Sequence, residues 1–302
     1  MTTLTEKPKV TAIAPWFGSK RTMAPRIVRE LGDHVSYWEP FCGSMAVLFA
    51  KRPTCHEHVS DLHDDLINLA WVLQDRSKAE QLYDFCRRTL FHESLFRQSE
   101  RAIRNEPFRA GWGPNTRRAY HFMVCSWMGR NGVAGTARIN QTFAMRYTPG
   151  GGHGGVRWQS VAESIPAWHE RLRRVSIVRC DAFQLLEKIE DVAGTAIYVD
   201  PPYLVEGRQY VYSFDTAQHI RLAKLLARFR QARVVVSYYR HRWLEWLYPR
   251  YLPAGWTHID ATTDKKLHVQ NRRGATRTDA PEMLLVNGPS RAQAGGQTRK
   301  LF

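Results

Sequence analysis

The chain has 302 residues, 43% of them hydrophobic, and its 44 Lys and Arg against 28 Asp and Glu give a formal net charge of +16. That apolar share excludes a largely disordered chain, the length sets a prior of two domains, and no apolar run approaches the roughly 20 residues of a membrane span. The basic excess points to a polyanionic partner, because lysines and arginines that neutralise phosphates release counterions. Met1-Thr2-Thr3-Leu4 lacks the apolar stretch of a secretory signal. Cys42, Cys55, Cys86, Cys125 and Cys180 form no C-x-x-C pair, which predicts a reduced, cytoplasmic setting without a disulfide scaffold.

In chain order, apolar positions at helical spacing predict a helix from about Thr22 through Ile27 and Leu31, stopped by Gly32. Val35 to Glu39 reads as a short buried strand, Pro40-Phe41-Cys42-Gly43-Ser44 as a turn, and Met45 to Ala50 as the opening of a helix. This is the order of a nucleotide-binding crossover unit. A second strand, around His58-Val59-Ser60, ends at Asp61, about 20 residues past the turn, where an acidic side chain in such folds takes ribose hydroxyls. Beside it, Cys55-His56-Glu57-His58 with His63 lacks a second half at zinc spacing and reads as a solvated loop without metal. A helix over Leu66 to Leu73 follows.

From Arg76 to Arg173 the alternation stops. Ala79 to Arg104 reads as helical and basic, while Trp112 to Trp158 mixes arginines, aromatics and glycines. This predicts a mostly helical insert over 76–173 that contacts nucleic acid, with Arg117, Arg118, Arg130, Arg138, Arg146 and Arg157 as its electrostatic footprint. Strand and helix then resume at Val175 to Asp181 and at Phe183 to Ile189, leading to the strand that ends at Asp200. A helix from Thr216 to Phe229, a strand from Arg233 to Tyr238 and a last strand from Met283 to Asn287 complete the pattern. The expected architecture is an α/β, Rossmann-like catalytic domain over 1–75 and 174–288, with a disordered basic tail over 289–302.

The apolar run Ala196-Ile197-Tyr198-Val199 delivers Asp200-Pro201-Pro202-Tyr203 at its end, and these residues fit the alkylation of an amino group on a flat ring. The Asp200 carboxylate can accept one hydrogen bond from an exocyclic amine, and a carbonyl of the Asp200-Pro201 segment can accept the other. Pro201 and Pro202 stiffen the corner. Tyr203 offers a face for stacking, worth about 1–3 kcal/mol per base.

Several further pieces, in order, resemble the Dam-like family of DNA adenine-N6 methyltransferases, including its phage-type members. They are Trp16-Phe17-Gly18-Ser19-Lys20, Glu39-Pro40-Phe41-Cys42-Gly43-Ser44, Ser60-Asp61-Leu62 through Asn68-Leu69, Asn131-Gly132 with Arg138-Ile139-Asn140 and Phe143, Cys180-Asp181-Ala182-Phe183, the Asp200 corner, and Ser213-Phe214. The resemblance implies a Rossmann-like fold, S-adenosylmethionine as cofactor and double-stranded DNA as partner, in a bacterial cell or phage-infected host. It implies that Trp16 and Lys20 contact the cofactor, that Glu39, Phe41 and Gly43 line its pocket together with Asp200, and that Asp61 holds the ribose. Asp181 would bond the cofactor's adenine amine with Phe183 beside the ring. Asn131 and Asn140 would join the insert's arginines on DNA. Two departures stand out: Ser44-Met45 where the family has a second glycine, and Arg130 where it has an aromatic before Asn-Gly, so the family's GATC target is not carried over. Two other base-amine chemistries remain open at this point, RNA methylation and cytosine-N4 methylation of DNA.

Overall fold

The computed structural model describes residues 10–129, 142–145, 153–203, 214–262 and 282–292. Within them, β1 (Ser36–Glu39), β2 (His56–Ser60), β3 (Ser176–Val178), β4 (Thr195–Val199), β5 (Arg233–Tyr239), β6 (Trp256–Asp260) and β7 (Glu282–Asn287) form one sheet. Its order is β3-β2-β1-β4-β5-β7-β6. The strands from β3 to β5 run parallel, and β7 pairs antiparallel with both β5 and β6. Every residue of β4 is buried, as expected of a parallel strand covered on both faces.

Strand side chains alternate between two apolar layers. Tyr37, Ala196, Tyr198 and Val235 face one cluster, and Ile197, Val199, Val234 and Val236 face the other. The first layer is roofed by α1 (Ala24–Leu31), α2 (Ala46–Ala50), α3 (Asp64–Gln74), α4 (Arg76–Arg88), α5 (Glu93–Asn105), α6 (Thr116–Met128), α7 (Gly154–Ala162) and α8 (Ile165–Leu172). The second layer is roofed by α9 (Ala182–Lys188), α10 (Thr216–Leu226) and α11 (Arg242–Tyr251). Each fully buried large apolar side chain contributes about 1.5–3 kcal/mol of transfer free energy. Residues 76–173, expected as an insert, supply α4 to α8, and Phe96, Phe122, Trp158 and Trp168 merge into the same cluster as Tyr37 and Tyr198 of the sheet. Topologically the segment lies between α3 and β3.

β1 has β2 on one side and β4 on the other, so strand order reverses between them. The connections leaving β1 and β4 diverge there and open a crevice at the strands' carboxyl ends, the usual ligand position in an open α/β sheet. The turn after β1 lies in that crevice. Cys42 N–H donates to the Ser60 carbonyl at 2.9 Å and Met45 N–H to the Cys42 carbonyl at 2.7 Å, tying the turn to β2.

Met45 caps α2 in the left-handed region (φ 59°, ψ 29°) and is fully buried. Left-handed backbone costs an L residue about 1–2 kcal/mol, whereas truncating a buried methionine costs about 2–5 kcal/mol. Packing therefore outweighs strain, and Met45→Gly should lower the midpoint of chemical denaturation; an unchanged or raised midpoint would show that the turn, not the core, dominates here.

Two expectations need correction and two gaps are filled. Ala79 to Arg104 is helical as expected, in two pieces: α4 ends at the Thr89 cap and α5 restarts from His92. The His56-Glu57-His58 stretch is strand β2, not a solvated loop. Alternation explains it: His58 stacks on Trp38 at 3.9 Å, and Glu57 points inward to Lys51 and to Arg171, which lies 2.6 Å away. α11 and β6 were not anticipated; Pro249 lies inside α11, where a proline reads as a breaker. Lastly, part of the expected disordered tail is docked: the Glu30 carboxylate accepts from Ser290 Oγ at 2.7 Å and from Arg291 N–H at 2.9 Å.

Candidate active site

Asp200 follows β4 directly, and the register that pairs Val199 with Val236 sets Ser237 of β5 beside it. The two carboxylate oxygens have different partners. Oδ1 accepts the Ser237 hydroxyl at 2.8 Å, and Ser237 is itself 2.8 Å from the Tyr198 hydroxyl. Oδ2 faces the Lys20 ammonium at 2.9 Å. Lys20 also donates to the Gly18 carbonyl at 2.8 Å, and its Nζ stands 4.8 Å from the Tyr203 ring centroid. Burial alone lowers the Lys20 pKa, but Asp200 and Glu282 outweigh it and hold the ammonium above its ordinary value. Tyr203 is wedged against Tyr239 at 4.5 Å and donates its hydroxyl to Glu282 Oε2 at 3.2 Å.

One cavity joins this corner to the rest of the crevice. Trp16, Lys20, Glu39, Phe41, Gly43, Asp61, Asp181, Phe183 and Asp200, all expected at the cofactor, line it together with Pro202. Gly43 is at φ +43°, and a Cβ there would stand 2.9 Å from Trp16 Cδ1 and Nε1. The Asp61 carboxylate bridges the turn and α3, accepting from Gly43 N–H at 3.0 Å and from His63 N–H at 2.9 Å. Each of its oxygens keeps a lone pair for a further donor. Asp181 caps α9 by accepting Phe183 N–H at 2.9 Å through Oδ1. Phe183 is stacked with Phe214 at 5.8 Å, and Phe41 meets Phe214 edge-on at 5.7 Å, so three rings wall one end of the cavity. Glu39 is buried and accepts the Tyr37 hydroxyl at 2.9 Å; burial, against that hydrogen bond, pushes its carboxyl up to about 8.

Behind this aromatic wall His219 of α10 is fully buried, edge-on to Phe214 at 4.8 Å. Burial lowers its pKa to about 4, against the weaker opposing pulls of Asp215 and of a hydrogen bond to the Pro202 backbone. In the unfolded chain the imidazole binds its proton near 6.5, so between those values the unfolded state holds a proton that the folded state lacks. The resulting stability is complete above about pH 6.5 and is lost as pH falls toward 4, by up to about 3 kcal/mol. His219→Leu should flatten the acid side of the stability profile, read as denaturation midpoints from about pH 7 to about pH 5. The same slope in wild type and variant would assign the acid sensitivity to other groups.

Of the expected DNA contacts, Arg117 is exposed at the start of α6. Arg118 needs correction: its guanidinium grips Asp65 at 2.6 and 3.0 Å and donates to the Ile103 and Glu106 carbonyls. It is a strut between α6 and α3, not a free cation. Arg157 lies over the Trp127 ring at 5.0 Å. Arg130, Asn131, Arg138, Asn140 and Arg146 lie outside the described residues. Ser237, Glu282, Tyr239 and His219 were not anticipated as site neighbours. A polar residue closing the Val234-Val235-Val236 run was the one signal for Ser237. Among the described residues no group of three or more His, Cys, Asp or Glu is placed to hold a metal ion, and no helix is long and apolar enough to cross a membrane.

Residues 16–264 match the family model for the D12 class N6 adenine-specific DNA methyltransferases. This chain belongs to that family. The methyltransferase thus acts at adenine N6 of DNA with a methyl donor, which sets aside the RNA and cytosine-N4 alternatives. No curated protein matches the sequence. Two solved structures of the rRNA methyltransferase aviRa from Streptomyces viridochromogenes, at 1.5 and 2.4 Å, are similar at 14% identity, with TM-scores of 0.36 and 0.35. Each comparison covers 91% of this chain and 86% of that one. Likeness at that level carries no argument about substrate.

Proposed function

We propose that the cavity takes S-adenosylmethionine and that the corner Asp200 to Tyr203 takes an adenine rotated out of duplex DNA. The observation that supports this most is the single cavity in which the expected cofactor residues adjoin Asp200. The donor set suits such a cofactor: the Asp61 carboxylate for ribose hydroxyls, the Asp181 carboxylate for an adenine amine, and the rings of Phe41 and Phe183 for its faces. When bound, the cofactor supplies a methyl carbon on a sulfonium, which is the electrophile.

Lys20 Nζ marks the place of an amine donor, since it already donates to Asp200 and faces the Tyr203 ring. An incoming adenine amine replaces the ammonium as donor to Oδ2, and a carbonyl of the Asp200-Pro201 segment takes its second hydrogen. Tyr203 stacks on the base and offsets part of the few kcal/mol that extrusion costs. Asp200 stabilises the positive charge that develops on the nitrogen as the nitrogen–carbon bond forms and the carbon–sulfur bond breaks; the surplus proton then passes to water. Catalysis on this reading is mainly positioning. Residues 76–173 supply target recognition, with Arg117 among the phosphate contacts, and the arginines and asparagines outside the described residues belong to the same expectation. Arg118 does not.

Incubation of the full chain with methyl-labelled S-adenosylmethionine and unmethylated duplex DNA, followed by nucleoside analysis, tests the reading. Label in N6-methyldeoxyadenosine is expected. Label in cytosine, in RNA alone, or nowhere overturns it.

A further inference from the structure

Asp200 can work as an amine acceptor only if its carboxylate is held at a fixed rotation, and that rotation is set outside the tetrapeptide. Ser237 at the end of β5 is fully buried, as is Tyr198 of β4 at 1% exposure. The hydrogen bonds between them are 2.8 Å from Tyr198 to Ser237 and 2.8 Å from Ser237 to Asp200.

Proton counting fixes their direction. An ionised carboxylate only accepts, so the single Ser237 hydroxyl hydrogen points at Asp200 Oδ1. The Ser237 oxygen is then an acceptor toward Tyr198, and the Tyr198 hydroxyl must be the donor. Burial, with Asp200 nearby, raises the Tyr198 pKa well above its ordinary value, so the phenol keeps that proton. A one-way relay runs from Tyr198 through Ser237 to Oδ1, leaving Oδ2 as the oxygen that meets Lys20. Strand pairing makes the relay rigid, because Tyr198 and Ser237 sit on adjacent, registered strands rather than in a loop.

We propose that Ser237 is a positioning residue for methyl transfer: its hydrogen bond to Oδ1 fixes the rotation of the Asp200 carboxylate and so aims Oδ2 at the target amine, and Tyr198 orients the Ser237 hydroxyl for that purpose. The proposal rests on the reading of Asp200 as the amine's acceptor. Its signature is a loss in kcat with little change in KM for the cofactor, because Ser237 touches neither cofactor nor base.

Single-turnover methylation of duplex DNA, with cofactor affinity measured separately by calorimetry, provides the test. Ser237→Ala should slow transfer by on the order of 10- to 100-fold, as expected for a misaimed catalytic group, while cofactor affinity stays within about twofold. Ser237→Thr, which keeps the hydroxyl at a strand position that suits a β-branched residue, should restore most of the rate. Tyr198→Phe should give a smaller loss, and in the Ser237→Ala background almost none, since members of one relay are not additive. Wild-type activity with Ser237→Ala at the wild-type rate overturns the proposal. So does a parallel loss of cofactor binding and rate in Ser237→Ala with full additivity of Tyr198→Phe, which would make both residues merely structural. Absence of DNA methylation by the wild-type chain is a different result and removes the reading of the site itself.

Discussion

Asp200→Ala should abolish methyl transfer, by at least the roughly 10²- to 10³-fold that removal of one transition-state hydrogen-bond partner costs. The variant has a second effect that must be separated from the first. Lys20 is 6% exposed and its ammonium lies 2.9 Å from Asp200 Oδ2, so the substitution strips a buried cation of its nearest counter-ion. Breaking a buried pair from one side costs about 3–5 kcal/mol. The carboxylate is 18% exposed and Glu282 also acts on Lys20, which places the expected loss toward the lower end. Adding Lys20→Met removes the orphaned charge and should recover most of the stability without recovering activity. Thermal denaturation and single-turnover transfer on both variants check this. Activity in the double variant would mean that the corner acts by shape alone, and failure of Lys20→Met to restore stability would mean that Asp200 holds the fold through Ser237.

Gly43→Val is expected to be the most damaging change on the cofactor side. Residue 43 is at φ +43°, and a Cβ there stands 2.9 Å from two atoms of the Trp16 ring. Both effects act together: a β-branched residue is poorly suited to positive φ, and the indole must be displaced from the cavity wall. Trp16 also packs edge-on to His63 at 5.2 Å, and His63 caps α3, so the shift reaches Asp61 and its bond to Gly43 N–H. Affinity for S-adenosylmethionine should fall by at least tenfold, about 1.4 kcal/mol. Binding to DNA without cofactor should keep its salt dependence, because phosphate contacts do not use this turn. Calorimetry with cofactor and salt titration with DNA separate the two. A variant with wild-type cofactor affinity would place the donor elsewhere than beside this turn.

What the sequence made legible was local. The Gly43 turn, the acid Asp61 about 20 residues past it and the corner at Asp200 are each written in a few consecutive residues at the end of a strand, and the resemblance named the residues around them. Burial pattern and period were enough for β4 and β5. What stayed hidden depends on which strands and helices become neighbours. Ser237 is 37 positions from Asp200, and only the pairing of β4 with β5 reveals that they touch. Glu282 reaches Tyr203 across 79 positions for the same kind of reason. Arg118 was misread because an arginine committed to an aspartate 53 positions away has the same sequence signature as one waiting for phosphate. The His56 to His58 stretch misled because one inward-facing ion-paired glutamate between two histidines disguises a strand's alternation.

The apolar cluster that unites α4 to α8 with the sheet has a consequence for how this enzyme can change its target. Phe96, Phe122, Trp158 and Trp168 belong to one cluster with Tyr37 and Tyr198, so α4 to α8, the helices proposed to carry target recognition, cannot be traded wholesale with those of a relative without tearing a wall from the sheet's core. New sequence preferences are better sought by varying the segments between these helices, leaving the interlocked side chains beneath them untouched.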